Sequence, residues 1–380
     1  MSRARVGVNL LWLVPGRVGG SEEATVATLL AGARELDRFG IDLVMLCSPQ
    51  VSSAYPLLGE HFEIVHVNED GSNKFRRVAN ENILLGRLCR QHRIDLIHHG
   101  GGVVPLGVRT PCSLTIHDLQ PLDQPHNFDL VKLAYLKTVL APSARRARIV
   151  MCPSEYSRLR VVEHLGIASQ RVRVVPWVAL PMQDVDPKSI SDVRERWGLR
   201  NDFILYPAVT HPHKNHRVLI QAFEQMQVDR PVDLVLTGGA GSSEGEVTES
   251  IHTSALRDRI HRLGRIDRRD LDALIASATV VAFPSSYEGF GLPVLEAMSR
   301  GTAVVASNVG SLPEVAGDLL SSLEPADVES WSSTLTTVLM DPVERLSRIA
   351  EGSQRAGLFT PERSGGGFAQ AIHDALVLSS

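Results

Sequence analysis

Short apolar runs alternate with amphipathic helical stretches along the first half of this chain, and this pattern constrains its fold most. Apolar runs at Val6–Val14 and Asp42–Cys47 flank a helical stretch from about Ser21 to Phe39, and Leu96–His98 is a later run. Further runs of this type are CSLTIHD, ARIVMCPS and RVRVVPW. Because consecutive parallel strands need a crossover between them, this alternation predicts a doubly wound parallel sheet.

A second series with the same alternation starts at Phe203. Its predicted strands are Phe203–Pro207, VDLVLTGG, IHRLGRI and TVVAFP, and its predicted helices are 216–226, 249–263 and 269–278. Between the two series, Trp177–Ile190 is rich in Pro and Asp and has no periodicity, as is typical of a linker. A last helix is predicted from Phe359 to Leu378. Since 380 residues are enough for two cores, we predict an α/β protein with two Rossmann-like domains.

The composition narrows the class of protein. Hydrophobic residues make up 43% and charged residues 22% of the chain, as in soluble globular proteins, and the net charge of −4 does not favour a nucleic-acid partner. Cys47, Cys112 and Cys152 stand singly in apolar runs, which predicts buried, reduced thiols. The N-terminal apolar run is short and lacks a small-residue cleavage site, and no run reaches the roughly 20 apolar residues of a membrane span. A cytoplasmic protein is therefore expected.

The segment from Ser285 to Gly310 contains two carboxylates around a glycine-containing turn. The apolar run Thr279–Pro284 before it predicts a buried parallel strand, so the turn leaves the carboxyl end of that strand. Glu288 precedes the turn, where a sugar attached to a bound diphosphate would lie. Glu296 follows in the first helical turn and can reach ribose hydroxyls, although the helix dipole alone also favours a glutamate there.

The turn itself has the features of a phosphate site. Gly289 and Gly291 allow the backbone to approach a ligand closely, and Pro293 fits the first turn of a helix. The N–H groups from Gly289 to Leu292, including that of Phe290, would then point at an anion. The sequence therefore predicts a diphosphate site at the start of this helix.

This segment resembles the signature of the retaining glycosyltransferases of family 4, with two glutamates in the arrangement E-x7-E. The resemblance extends over YEGFGLPVLEAMSRGTAVVAS and VGSLPEVAGD, and further landmarks occur in family order at PGRVGGSEE, LTIHDL, CPSEYSR, HPHKNHRVLIQAFEQM and LFTPER. It implies the GT-B fold, in which two Rossmann-like domains face a cleft. Residues 1–180, completed by a returning helix at 359–380, are then expected to form the acceptor-side domain, and 181–358 the domain that binds a nucleotide sugar.

In the second domain, Lys214 of THPHKNHR resembles the diphosphate-binding lysine of the family. The arginine that commonly precedes it by a few residues is missing from YPAVTHPH. The likeness is closer to a branch that carries HKNH and resembles mannosyl- and rhamnosyltransferases. Gly238 is expected to border the nucleotide. Arg265 lies near the expected base-binding edge, where an exposed surface role is an equal alternative.

In the first domain, Gly19 and Gly20 lie between the first strand and the first helix, where open α/β sheets bind ligands, although a tight turn also needs glycine there. The resemblance implies that this pair faces the phosphates of the donor and the acceptor. His117 follows the apolar SLTI, and the resemblance gives it a role near the donor sugar and the acceptor hydroxyl. Ser154 can cap a helix or line the cleft, and the two roles are compatible. The acceptor-side candidates are His98, His99 and Ser154.

The predicted reaction needs no metal and no cofactor besides the donor. The D-V-D sequence at Asp184–Asp186 lies in the predicted linker, no Cys/His cluster has zinc spacing, and a G-x-G-x-x-G fingerprint is missing from both domain starts. The resemblance favours GDP-mannose or dTDP-rhamnose as donor and a cell-surface glycan or lipid-linked precursor as acceptor. Peripheral contact with the inner membrane face stays open.

Three rival functions remain from the sequence. Within enzymes they are a sugar-nucleotide epimerase or a phosphorylase of the same architecture. Outside enzymes, the rival is a sugar-nucleotide-binding protein that has lost turnover, to which the missing arginine gives some weight. Attack from the leaving-group face is expected for the family, and a covalent intermediate on Glu288 stays an alternative.

Overall fold

The computed structural model describes residues 3–17, 19–68, 74–180 and 185–378. Contacts divide the chain into two compact units, one formed by Met1–Leu180 with Phe359–Ser380 and the other by Pro181–Leu358. In the described part of each unit, a parallel sheet is flanked by helices. The predicted class, α/β with two doubly wound parallel sheets, is confirmed.

The sheet of the first unit has seven strands in its described part, in the order β3-β2-β1-β4-β5-β6-β7, and all pairs are parallel. The strands are β1 (Ala4–Asn9), β2 (Ile41–Cys47), β3 (Glu63–His66), β4 (Leu96–His99), β5 (Cys112–Thr115), β6 (Val150–Cys152) and β7 (Val172–Val174). The helices between them are α1 (Gly20–Arg38), α2 (Pro49–Ala54), α3 (Leu57–His61), α4 (Lys74–Gln91), α5 (Gln120–Asp123), α6 (Leu130–Arg146) and α7 (Glu155–Leu165). The strand order reverses between β1 and β4, so loops after these strands diverge to opposite faces and leave a crevice at the carboxyl edge.

The second unit has a six-stranded parallel sheet in its described part, in the order β10-β9-β8-β11-β12-β13. The strands are β8 (Asp202–Pro207), β9 (Val232–Thr237), β10 (Ile260–Gly264), β11 (Val280–Phe283), β12 (Ala303–Ser307) and β13 (Ser321–Leu323). The helices are α8 (Pro187–Arg196), α9 (His216–Gln225), α10 (Glu244–Thr253), α11 (Arg268–Ser277), α12 (Leu292–Ser299), α13 (Leu312–Ala316), α14 (Val328–Met340) and α15 (Pro342–Ala356). Here the strand order reverses between β8 and β11, so the crevice of this unit lies at the carboxyl ends of these two strands.

The last helix, α16 (Pro361–Val377), packs against α1 of the first unit. The two helices approach closely, because a Cβ added at Gly365 would lie 2.3 Å from the carbonyl carbon of Ala31. Thr28 and Ser364 also join their hydroxyl groups across this contact at 3.1 Å. Glycine at position 365 therefore allows α16 to pack closely against α1.

Two local predictions are wrong. The helix expected over 249–263 runs from Glu244 to Thr253, and its predicted end overlapped the strand IHRLGRI, which is observed as β10 from Ile260 in register with β9. The linker expected over Trp177–Ile190 is helical from Pro187, since Asp186 accepts a hydrogen bond from the Ser189 N–H at 2.6 Å and begins α8. Asp184 of the D-V-D sequence lies outside the described residues.

The cysteine prediction is confirmed. Cys47, Cys112 and Cys152 are buried free thiols, as is Cys89. Three of them lie on strands whose side chains are largely buried, so a small apolar residue fits each position.

Candidate active site

The loop after β8 is bound to the loop after β11 at the crevice of the second unit. The Ser286 N–H donates to the His213 carbonyl at 2.7 Å, and the Asn215 side chain donates to the Pro284 carbonyl at 3.0 Å. Asn215 has a left-handed backbone with φ 51°, which turns the chain into α9. Tyr206 donates its hydroxyl proton to the Lys214 carbonyl at 2.6 Å. These hydrogen bonds involve Lys214 and both of its neighbours in the chain, so they fix the backbone position of this lysine.

Lys214 and Glu288 form an ion pair at this junction. The Lys214 Nζ lies 2.5 Å from the Glu288 Oε1, and only 16% and 11% of the two side chains are exposed. The ammonium also lies 5.2 Å from the centre of the Phe283 ring. The sequence predicted both residues as donor-binding and did not predict their contact. An ammonium carries three N–H donors, so Lys214 can hold Glu288 and still donate to a ligand oxygen.

The loop after β12 holds the backbone of Glu288. The Ser311 N–H and hydroxyl donate to the Glu288 carbonyl at 3.2 and 3.1 Å. Gly310 has φ 61°, and a Cβ there would lie 2.5 Å from the same carbonyl oxygen. A side chain at this position would therefore displace the glutamate or the loop.

The predicted helix start after the glycine turn is observed, with α12 beginning at Leu292 and Pro293 in its first turn. Gly291 has φ 96°, and a Cβ there would lie 2.6 Å from the Leu312 Cδ2. Phe290 and Leu292 are buried, so a donor would meet their backbone rather than their side chains. The 289–292 backbone lies at the carboxyl end of β11, where the sequence predicted the diphosphate.

Glu296 is paired with an arginine that sequence reasoning missed. The Arg268 Nη1 lies 2.5 Å from the Glu296 Oε1, and 4% of the glutamate side chain is exposed. Arg268 also approaches Asp272 at 3.0 Å, and Arg300 approaches the other oxygen of Asp272 at 2.9 Å. Arg268 and Asp272 are four residues apart on α11 and therefore lie on the same face of this helix, which allows them to pair. The predicted helix began at Arg269, so Arg268 was left out of it. Glu296 is the fifth residue of α12 and therefore lies beyond the first turn in which the sequence placed it. It remains a predicted ribose ligand, and its carboxylate is oriented by Arg268.

Both histidines of the HKNH sequence are held neutral. Burial lowers the pKa of His213 to about 2, with a further contribution from Lys214, and burial lowers the pKa of His216 to about 3. The His216 ring packs against Tyr206 at 4.6 Å between centroids. At neutral pH the positive charge of this sequence is therefore that of Lys214.

The two residues predicted to lie near the nucleotide follow the ends of strands: Gly238 follows β9, and Arg265 follows β10. Gly238 has φ 112°, and a Cβ there would lie 2.3 Å from the Ala208 carbonyl oxygen. Its own carbonyl accepts a hydrogen bond from Arg262 at 2.8 Å. Arg262 also pairs with Glu244 at 2.9 Å, and this hydrogen bond lowers the pKa of that carboxyl. Arg265 is exposed beside Gly239, so the structure leaves open both roles that the sequence allowed it.

In the first unit, the predicted glycine pair begins α1. Gly19 is the N-cap with φ 89°, and Gly20 is the first helical residue. Glu22 is buried and accepts hydrogen bonds from the Gly16 N–H at 3.0 Å and the Tyr55 hydroxyl at 2.7 Å. Glu22 thus stabilises the loop between β1 and α1.

His117 lies between two tryptophans. Its ring centroid is 5.5 Å from that of Trp12 and 5.5 Å from that of Trp177. A Cβ at Gly101 would lie 2.7 Å from the Trp12 ring, so glycine is needed for the indole to lie against this backbone. Burial lowers the pKa of His117 to about 4, partly offset by the Gly100 backbone. The ring is therefore neutral at pH 7 and can orient a hydroxyl without adding charge.

The other first-unit candidates are buried. His98 is bonded to Ser113 at 3.0 Å and to Thr115 at 3.2 Å, and His99 lies 3.4 Å from the Asn9 side chain. Burial lowers the pKa of both histidines to about 3. Both lie at the end of β4, and their acceptor-side role stays a prediction. Ser154 caps α7 by accepting a hydrogen bond from the Ser157 N–H at 3.1 Å, which was one of its two predicted roles.

Within the described ranges, no helix is long and apolar enough to cross a membrane. The same residues contain no group of three or more His, Cys, Asp or Glu that could hold a metal ion.

The family model described as Glycosyl transferases group 1 matches residues 189–356, and the model described as Glycosyltransferase Family 4 matches residues 25–177. O-antigen chain mannosyltransferase B of Escherichia coli is 30% identical over 274 residues, which cover 70% of this chain and 71% of that protein. MMP alpha-(1->4)-mannosyltransferase of Mycolicibacterium hassiacum is 31% identical over 215 residues, which cover 56% of this chain and half of that protein.

A solved structure has the same fold as this chain. HepE of Anabaena, in complex with UDP and glucose, is 21% identical, with a TM-score of 0.72 and coverage of 98% of this chain and 100% of that chain. The likeness confirms the predicted GT-B fold class.

Proposed function

Since the chain belongs to glycosyltransferase family 4, we propose that it is a retaining, metal-independent hexosyltransferase that uses a nucleoside-diphosphate sugar. The observation that carries this proposal is the Lys214–Glu288 pair at the crevice of the second unit, next to the start of α12. A cation beside a helix N-terminus suits a diphosphate, and a neighbouring carboxylate suits sugar hydroxyls.

In the proposed reaction, the bond between the anomeric carbon and the diphosphate oxygen breaks while an acceptor hydroxyl adds to the same face of the sugar. The acceptor proton passes to the departing diphosphate. Negative charge grows on that diphosphate in the transition state, so Lys214 and the 289–292 backbone would stabilise it electrostatically. Glu288 would bind sugar hydroxyls and the developing positive charge. His117, neutral at pH 7, would orient a hydroxyl of the sugar or the acceptor.

GDP-mannose is the favoured donor, since two relatives are named mannosyltransferases. dTDP-rhamnose is the second choice, because its 2′-deoxyribose offers Glu296 one hydroxyl fewer. The first relative's name concerns an O-antigen chain, which favours a cell-surface glycan or its lipid-linked precursor as acceptor.

A donor panel tests the proposal. Purified protein is mixed with GDP-mannose, dTDP-rhamnose or UDP-glucose, and thermal stability and release of nucleoside diphosphate are measured together. A donor at one hundred times its dissociation constant should add about 2.7 kcal/mol of stability. Stabilisation with release, and a product of unchanged anomeric configuration by NMR, supports the proposal. Stabilisation without release in the presence of glycan acceptors would instead favour the binding protein.

Metal independence has its own test. The protein is dialysed against EDTA and assayed with and without added magnesium or manganese. We expect the rate of donor turnover to stay unchanged, because Lys214 and the start of α12 supply the positive potential. Loss of turnover in EDTA with rescue by either ion would contradict this part of the proposal.

A further inference from the structure

A chain of ion pairs joins α11 to α12 in the second unit. Arg268 contacts Glu296 through Nη1 at 2.5 Å and Asp272 through Nε at 3.0 Å. Arg300 contacts the other carboxylate oxygen of Asp272 at 2.9 Å. The exposed fractions of the side chains are 24% for Arg268, 7% for Arg300, 4% for Glu296 and 1% for Asp272. Each buried carboxylate therefore lies beside a guanidinium group that compensates its charge.

Arg268 occupies its helix position against the local electrostatic preference. It is the first residue of α11, and Arg269 is the second. The amino end of a helix carries partial positive charge, which favours carboxylates and disfavours arginine. Asp267 and Asp270 of the same turn follow this preference, whereas Arg268 extends from α11 to Glu296 on α12. A residue that breaks a local rule while it holds a predicted ligand-binding side chain indicates a functional constraint.

The position of Glu296 on α12 suits the ribose of a bound nucleotide. The helix begins at Leu292, beside the predicted diphosphate site, and Glu296 is four residues further along. At 1.5 Å per residue this separation is roughly 6 Å along the helix axis. The ribose is bonded directly to the diphosphate, so its hydroxyl groups come within reach of a side chain at this spacing. A carboxylate has about four acceptor positions, so an ion pair through one oxygen does not prevent it from accepting from hydroxyl groups.

We propose that Arg268 is a positioning residue that makes the donor site select ribonucleoside diphosphates over deoxyribonucleoside diphosphates. The inference rests on the proposed function, in which Glu296 binds the ribose. Because Asp272 holds Arg268, and Arg300 holds Asp272, the carboxylate of Glu296 is oriented before the donor binds. A buried carboxylate held in this way loses hydrogen bonds when the ribose hydroxyls are missing, and it cannot turn to water to replace them.

The test measures binding of GDP and UDP, each beside its 2′,3′-dideoxy analogue, by calorimetry on the full chain. The variants are Arg268→Gln, Arg268→Lys, Glu296→Gln and the double variant Arg268→Gln with Glu296→Gln. The control is Arg269→Gln, which removes a charge from the same turn of α11, where Arg269 is exposed and lies 3.3 Å from the Ser189 hydroxyl. Melting temperatures check folding. If Arg268→Gln does not fold, Arg268→Lys decides, because lysine keeps the charge but lacks the fork that contacts two carboxylates.

We expect the parent to bind its preferred ribonucleotide about 10²-fold more tightly than the dideoxy analogue, as hydrogen bonds to a charged group require. Arg268→Gln should lower this ratio at least about tenfold through weaker binding of the ribonucleotide alone. Arg268→Lys should lower the ratio by a smaller factor, and Arg269→Gln should keep it. In the Glu296→Gln background, Arg268→Gln should leave the ratio unchanged, since Arg268 acts through Glu296.

A purely structural role of Arg268 would weaken both nucleotides equally. An unchanged ratio in the folded Arg268 variants, or an equal fall in Arg269→Gln, therefore overturns the inference and leaves the proposed function in place. A parent that binds a ribonucleotide and its dideoxy analogue equally also overturns the inference, because Glu296 then does not bind the ribose. A parent that binds neither GDP nor UDP overturns the inference together with the proposed function.

Discussion

Replacing Lys214 by Met is expected to destabilise the second unit, because Glu288 then loses the cation that compensates its burial. Met retains most of the length of the lysine stem, so the contact with Phe283 is largely kept. Removing one partner of a buried ion pair costs roughly 3–5 kcal/mol, and both side chains here keep some exposure, 16% and 11%. We therefore expect a loss near the lower end, about 3 kcal/mol.

Hydrogen exchange read by mass spectrometry measures this loss in the second unit alone. Amides of β8 and β11 that exchange by opening of the whole unit should exchange about 10²-fold faster in Lys214→Met. The double variant Lys214→Met with Glu288→Gln should recover most of the protection, since a neutral amide needs no cation. Both variants should still lose donor turnover by about 10²-fold or more, because the charge that stabilises the diphosphate is gone.

Two results would refute this reasoning. If Lys214→Met leaves exchange in β8 and β11 unchanged, the pair contributes nothing to stability. If the single and double variants lose protection equally, the loss comes from packing of the lysine stem and not from the unpaired carboxylate.

Glu296→Gln should weaken donor binding more than it slows single-turnover transfer, and unchanged donor affinity would remove the ribose assignment. Gly310→Ala should lower stability by about 1–3 kcal/mol and reduce turnover, because of its φ of 61° and the contact with the Glu288 carbonyl; Gly245→Ala, where an added Cβ meets nothing within 4 Å, is the control. The first unit should lose stability as the pH falls from about 7 towards 4, since burial lowers the pKa of His117 to about 4 and of His98 to about 3, so the unfolded chain binds more protons in this range. His98→Gln should flatten the pH dependence of exchange in β4, and an unchanged slope would contradict this account.

The fold was predictable because parallel strands buried on both faces leave a strong local pattern. Runs such as Phe203–Pro207 and Thr279–Pro284 contain β8 and β11 almost residue for residue. The strand predicted at IHRLGRI is observed as β10, whereas the helix predicted from Glu249 to Leu263 overlapped this strand and ends at Thr253. The start of α8 was missed because Asp186 and Pro187, which cap and begin this helix, were interpreted as part of a linker rich in Pro and Asp.

The sequence singled out Lys214 and Glu288 as site candidates, but it did not predict that they contact each other. Lys214 and Glu288 are 74 residues apart, and only the adjacency of β8 and β11 brings them together. Glu296 was assigned from its place in a helical turn, whereas its partner Arg268 comes from the first turn of another helix. The predicted roles in ligand binding were assigned from motif position and stay predictions, whereas the ion pairs that orient these side chains depend on the order of strands in the sheet.

The packing of α16 against α1 determines when folding of the first unit can be completed during synthesis. The Gly365 contact on α1 forms only after the ribosome has added the whole second unit, roughly 200 residues beyond β7, or about 10–40 s at ordinary elongation rates. Through that interval the apolar face of α1 that later receives Phe368 and Ile372 has no covering helix from this chain. The second unit, continuous in the sequence, can finish folding on the ribosome first, and the unit that is translated first is closed last.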